Sequence, residues 1–204
     1  MKILGITGPS GSGKTTLCGI IKDNYNAAII DADQVARDLT SNTESRYFKE
    51  MIKLFGQDVL KSDGSLNRKK VAKIIYTTKS KRQELNKITF KYVVEEINKM
   101  IEDIKQSDVD FLAIDVPLLY EANMENVCDY VIAVVAEDEE KIARICKRDG
   151  IDKEVAKKRL EIQNNNSFFV KRADFVIHND KSISKLEKSL KEIINKIWVS
   201  GFLE

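Results

Sequence analysis

The sequence predicts an α/β protein: a parallel sheet of about five strands, helices on both faces, an inserted helical domain and a helical lid. Three observations carry this expectation. Ile3, Leu4 and Ile6 form a short apolar run that leads through glycines into a helix-compatible segment, Leu17 to Asn24. Similar apolar runs recur at 27–30, 111–114, 130–135 and 174–178, with helical patterns between them. The excursion between the second and third runs is far longer than a plain βαβ crossover requires.

The first junction holds the strongest signal. Gly8 opens the pattern Gly-x-x-x-x-Gly-Lys-Thr, closed by Gly13, Lys14 and Thr15. Strand, glycine loop and helix together make the setting in which this pattern binds phosphate. The glycines let the backbone curl around an anion, and the helix start adds its dipole and N–H groups. Gly11, Ser12, Gly13, Lys14, Thr15 and Thr16 are therefore expected to hold a nucleotide triphosphate. Lys14 reaches the β- and γ-phosphates, and the Thr15 hydroxyl is a candidate Mg²⁺ ligand.

The second run, Ala27 to Ile30, ends in Asp31-Ala32-Asp33. The carboxyl end of a parallel sheet is where ligands sit, so this pair is placed to bind metal or take a proton from a hydroxyl. Asp31 serves equally well as a cap for the next helix, Gln34 to Leu39. Asp33 is the candidate acid–base residue.

Residues 34–106 read as a helical insertion that covers a second substrate. Tyr47, Met51, Leu54 and Phe55 recur at helical spacing, and Gly56 stops that helix. Ser62 to Ser65 is a turn, and helices follow over Arg68–Tyr76 and Lys81–Lys105. Phe111 to Ile114 is the third strand, tipped by Asp115, a candidate to approach Mg²⁺ through water. Pro117, Leu118 and Leu119 follow as apolar residues past the strand end, which suggests a pocket wall.

Tyr130 to Val135 is the fourth strand. Residues 138–165 read as a lid of two basic helices, Asp138 through Lys147 and Lys153 to Ile162. Arg144, Lys147 and Arg148 share a helix face, and Arg148 is the candidate to meet the triphosphate. The lysines of the second helix read as solvated charge. Asp174 to His178 is the last strand, with His178 structural, and Ser182 to Trp198 is an amphipathic closing helix.

Composition narrows the function classes. Net charge is +2 over 204 residues, so nothing favours nucleic acid or a membrane surface as partner. No run approaches a membrane span, and Met1-Lys2-Ile3 enters the first strand directly, without a signal peptide. Cys18, Cys128 and Cys146 lack metal-ligand spacing and fit a reducing cytoplasm.

Taken in order, these motifs resemble dephospho-CoA kinases over nearly the whole chain. The residues carrying the resemblance are the phosphate loop, Ile30 to Asp33, Asp63-Gly64-Ser65-Leu66, Asp115 to Glu121, Arg144 and Arg148, Gln163, and Ala173-Asp174 leading to Val176-Ile177 and Asn179. The resemblance implies a nucleotide-kinase-like core and transfer of the ATP γ-phosphate to the 3′-hydroxyl of dephospho-CoA, giving CoA, with ATP and Mg²⁺ required. It further implies Asp33 as base or orienter, Arg148 as a lid arginine near the transferring phosphate, and Arg144 on the nucleotide. Arg68, Pro117, Leu118, Leu119 and Glu121 fall on the acceptor side. Three places depart from the family pattern. Asn67 replaces an Asp before Arg68, Thr89-Phe90 replaces a His-Pro pair, and Gly8-Pro9-Ser10-Gly11 replaces Gly-Gly-Ile-Gly. The alternative is another small-molecule kinase, such as a uridine-type nucleoside kinase. A GTP-dependent switch is disfavoured, because the Asn-Lys pairs at Asn86, Asn98 and Asn195 lead to Thr89, Ile101 and Trp198 where Asn-Lys-x-Asp would need Asp.

Overall fold

The computed structural model describes residues 1–180 and 182–200. The chain divides into two compact units, Met1–Ile30 with Asp108–Glu204, and Asp31–Ser107.

The first unit is built on a five-stranded sheet among the described residues, ordered β2-β3-β1-β4-β5. The strands are β1 (Lys2–Thr7), β2 (Ala27–Asp31), β3 (Phe111–Asp115), β4 (Tyr130–Val135) and β5 (Phe175–His178). Pairing is parallel on both sides of β1 and between β4 and β5, with Ile6 opposite Asp115 and Ile132. All five residues of β3 are buried, as expected for a strand covered on both faces.

Alternation along β4 sorts the two faces. Ile132 and Val134 join Leu4 and Ile6 under α1 (Lys14–Asn24) and the closing helix, Ile183–Ser200. Leu186, Leu190, Ile193, Ile194 and Ile197 supply that helix's buried stripe. Ala133 and Val135 point the other way, onto Phe169 and Phe168 of the short helix Asn166–Val170. The apolar pattern did not anticipate that short helix, because five residues span little more than one turn. Its start is nonetheless written in the chain, since the Asn165 side chain caps Phe168 N at 3.1 Å.

The second unit gathers α2 (Ala32–Ser41), α3 (Arg46–Phe55) and α4 (Arg68–Thr77) around the long α5 (Lys79–Ile104). Tyr47, Phe48, Met51, Val71 and Tyr92 form its apolar centre with Val59 and Leu66. A bridge between Leu60 and Leu66 closes the turn expected at 62–65, where Asp63 accepts from Ser65 N at 2.8 Å.

Several boundaries differ from expectation by one to three residues, and two of them bear on the site. Helix α1 begins at Lys14 and not Leu17, and α2 begins at Ala32 and not Gln34. In each case the apolar period starts later than the backbone helix. The cap decides the true start: Gly13 for the first, and Asp31 for the second. Among the described residues no helix is long and apolar enough to cross a membrane.

Candidate active site

The phosphate loop lies between β1 and α1, at the carboxyl end of the central strand. Gly8 and Gly13 have φ of 138° and 104°, which side-chain-bearing residues rarely adopt. A Cβ at Gly8 would strike the Val134 carbonyl oxygen, and one at Gly13 would strike the Asn179 side-chain amide. Gly13 offers α1 no side-chain cap. The first-turn N–H groups, which have no acceptor inside the helix, are the donors an anion would use.

The loop is braced from outside. Asn179, buried just past β5, donates from Nδ2 to the Ser12 carbonyl at 2.8 Å. Arg144 donates to the carbonyls of Gly11 at 3.3 Å, Ser12 at 3.4 Å and Asn179 at 2.8 Å. A trans peptide carries its carbonyl and N–H on opposite sides. Holding the Ser12 carbonyl outward therefore turns the Gly13 N–H the other way. Arg144 thus works on the loop backbone, and its other partner is Glu140 at 3.4 Å.

Lys14 is buried, and its Nζ donates to the carbonyls of Gly8 at 2.9 Å and Pro9 at 3.2 Å. Thr15 Oγ1 donates to Asp115 Oδ2 at 3.3 Å, so the helix start and the β3 tip converge across 100 residues of sequence. The Ser12 hydroxyl is fully buried in the loop, with no hydrogen-bond partner among the described residues. Thr16 is exposed on the next position of α1.

The residues expected in a lid come from α6 (Asp138–Asp149) and α7 (Lys153–Glu161). Arg148 forms a two-pronged contact with Asp149, at 2.7 Å from Nε and 3.0 Å from one terminal nitrogen, which also reaches Ser10 Oγ at 3.4 Å. Arg159 donates to the same carboxylate at 2.6 Å. Hydrogen bonding from Arg148 holds the Asp149 carboxyl below its usual range, with both guanidinium charges adding to the effect and burial opposing it. Gln163 accepts from Ser10 N at 2.9 Å, tying the segment after α7 to the loop.

Beyond β3, the expectation of an apolar wall needs one correction. Leu119 is fully buried, and a Cβ added to Gly5 would meet its side chain and that of Cys128. It packs under the sheet where glycine leaves room, so its side chain is closed to solvent. Pro117 and Leu118 are half-buried. Glu121 is exposed and accepts from Asn164 Nδ2 at 2.6 Å.

Asp33 and Arg68 belong to the helical unit. Asp31 caps α2 through Gln34 N at 3.0 Å, so the capping role is realised. Asp33 is exposed in the first turn of α2, where negative charge suits the helix dipole. Arg68 donates to Thr40 Oγ1 at 2.6 Å and the Arg37 carbonyl at 3.0 Å, docking α4 on the end of α2. Two of the departures noted above acquire a physical reading here. Asn67 caps α4 through Lys70 N at 3.1 Å, a task Asn and Asp perform equally. Thr89 bonds the Tyr47 hydroxyl at 2.9 Å, and Phe90 sits inside an unbroken helix.

Sequence reasoning gave no role to Asp149, Ser10 or the bracing amide of Asn179. The available signal was positional, since Asn179 lies just past the carboxyl end of a parallel strand.

The model of the dephospho-CoA kinase family matches residues 2–185. The chain belongs to the dephospho-CoA kinase family. It is 36% identical to a dephospho-CoA kinase of Carboxydothermus hydrogenoformans, covering 96% of this chain and 94% of that protein. A dephospho-CoA kinase of Listeria monocytogenes is 34% identical, covering 96% of each. Among solved structures, one from Thermus thermophilus superposes with a TM-score of 0.77 at 26% identity, covering 96% of this chain and 97% of that one.

A kinase of this family implies ATP, and the phosphate loop is where a divalent cation accompanying the nucleotide would sit. The oxygen donors present are the Thr15 hydroxyl and the Asp115 carboxylate. Among the described residues no group of three or more His, Cys, Asp or Glu could hold a metal ion. This sparse, hard-oxygen set fits Mg²⁺, which keeps several waters and takes its remaining ligands from phosphate.

Proposed function

We propose that this chain transfers the γ-phosphate of ATP to the 3′-hydroxyl of dephospho-CoA, giving CoA and ADP, with Mg²⁺ as the accompanying cation. Family membership names the reaction. On the phosphate side, the observation that carries the reading is the glycine loop with Lys14 buried in it and Thr15 against Asp115.

Each residue then has a task. Backbone N–H groups at the start of α1 bind the phosphates, and the Lys14 ammonium exchanges loop carbonyls for phosphate oxygens. Thr15, and Asp115 through water, would hold Mg²⁺, which would supply neutralising charge to the phosphates. Asp33 takes the proton as the 3′-oxygen bonds to phosphorus and the bond to ADP breaks. Arg148 meets charge on the transferring group. Asp33 in an exposed first turn of α2 is accessible to an acceptor hydroxyl, which supports its assignment.

The test is an acceptor panel. Dephospho-CoA, adenosine, uridine and pantothenate are each offered with Mg-ATP, and kcat/KM is measured. Dephospho-CoA is expected to lead. A higher kcat/KM for uridine or pantothenate would overturn the assignment.

A further inference from the structure

Asp149 carries a carboxylate in the last turn of α6. That is the wrong end for negative charge, because the helix dipole is negative there. The next residue, Gly150, turns left-handed with φ of 64°, so the chain leaves the helix directly after this side chain. Two guanidiniums compensate the misplaced charge. Arg148 grips it with two hydrogen bonds, and Arg159 arrives from α7 at 2.6 Å. The carboxylate and the Arg159 side chain are mostly shielded from water, 22% and 26% exposed. The Arg148 side chain is 61% exposed, so it is the shielded, charge-assisted Arg159 contact that fixes the geometry better than a surface ion pair would. Arg148 at the same time reaches Ser10 of the phosphate loop at 3.4 Å.

We infer that Asp149 is a positioning residue that holds Arg148 and Arg159 side by side as a two-guanidinium fork for the terminal phosphates. Arg159 is thereby a second cation of the phosphate site, although its neighbours Lys157 and Lys158 are exposed. Two contacts tie this fork and its helix to the loop's Ser10, since Gln163, one turn past Arg159, accepts from Ser10 N at 2.9 Å while Arg148 reaches its hydroxyl. One carboxylate spanning α6 and α7 sets the spacing of the two cations before any phosphate arrives. Pre-set charge costs no reorganisation when the reaction occurs. The inference rests on the proposed phosphoryl transfer, yet it makes a claim about nucleotide binding that stands apart from the acceptor.

The experiment uses the full chain with the variants Asp149→Asn, Arg159→Gln and both together. Affinity for Mg-ATP is measured by calorimetry, and kcat is measured with whichever acceptor of the panel the unaltered enzyme turns over fastest. Failure of dephospho-CoA as acceptor therefore leaves this test intact. Charge alone predicts tighter Mg-ATP binding in Asp149→Asn, because a negative group near the phosphates is gone. Positioning predicts the opposite sign: binding weaker by about tenfold, the scale of one charge-assisted contact. Arg159→Gln should cost about tenfold alone and less than twofold when Asp149→Asn is already present, because coupled residues are not additive. Tighter or unchanged Mg-ATP binding in Asp149→Asn overturns the inference. So does full additivity of the two substitutions.

Discussion

Asp33 carries the most specific chemical claim of any residue. A ribose hydroxyl attacks poorly while it keeps its proton, and a carboxylate in reach orients it and takes that proton. Asp33→Asn preserves size and a hydrogen-bonding oxygen but removes the base. Steady-state kinetics should show kcat lower by about 10²–10⁴-fold, with Mg-ATP affinity retained. Collapse of Mg-ATP affinity with acceptor binding intact would move Asp33 to the nucleotide side. Tyr120 offers a second, unrelated test. Burial pushes its phenol from 10.0 up to about 12, with Asp174 and Glu125 adding to the rise. A raised folded value means the folded chain keeps a proton that the unfolded chain gives up. Stability is therefore intact below about pH 10 and falls as pH climbs towards about 12. The Tyr120 hydroxyl has no hydrogen-bond partner among the described residues, so Tyr120→Phe should leave stability at pH 7 close to unchanged. Denaturant titrations across the alkaline range should show a shallower loss in the variant, and an identical pH slope would contradict the assigned shift.

At the level of elements, the phosphate loop is a junction held from both sides. Strand β1 delivers it and α1 carries it away, while Asn179 and Arg144 grip its carbonyls from behind. Gly13 sits where these demands meet, with a left-handed φ and the Asn179 amide against its α-carbon. Gly13→Ala should cost about 1–3 kcal/mol in chemical denaturation, the scale of a residue forced into a disfavoured backbone region. It should also weaken Mg-ATP binding, because the loop must move to admit the methyl group. A variant with unaltered stability and nucleotide affinity would mean that the loop yields without consequence.

Across the whole molecule, the two compact units have separate apolar centres, one under the sheet and one around α5. Separate centres allow regions to open with different free energies. Hydrogen exchange should report ligand binding region by region. Mg-ATP alone should slow exchange in residues 8–20 and 138–165, and addition of the acceptor should slow it further in residues 31–107. Protection in 31–107 that is complete with Mg-ATP alone, or absent with both ligands, would refute this division of binding.

Much was legible in the chain itself. The glycine, lysine and threonine spacing at 8–15 specified the loop, because only that pattern gives positive φ, an ammonium and a helix start together. Continuous apolar runs located the strands and the period-3.6 pattern located the long helices, because a strand covered on both faces is apolar throughout whereas a helix buries one stripe. The ordered motifs identified the family. What sequence could not supply was contact between distant positions. Nothing local tells Thr15 that Asp115 will meet it, or Ser10 that Gln163 will accept its N–H. Leu119 looked like a wall because an apolar residue past a strand end carries no label for its direction. Gly5, on a neighbouring strand, leaves the space that turns it inward. Asp149 carries no local sign of its partners, and only the arrival of Arg159 from the next helix gives its carboxylate a second one. Side-chain chemistry and periodicity are local and can be read in order, whereas the partner of a charge or a cavity is set by packing between segments far apart in the chain.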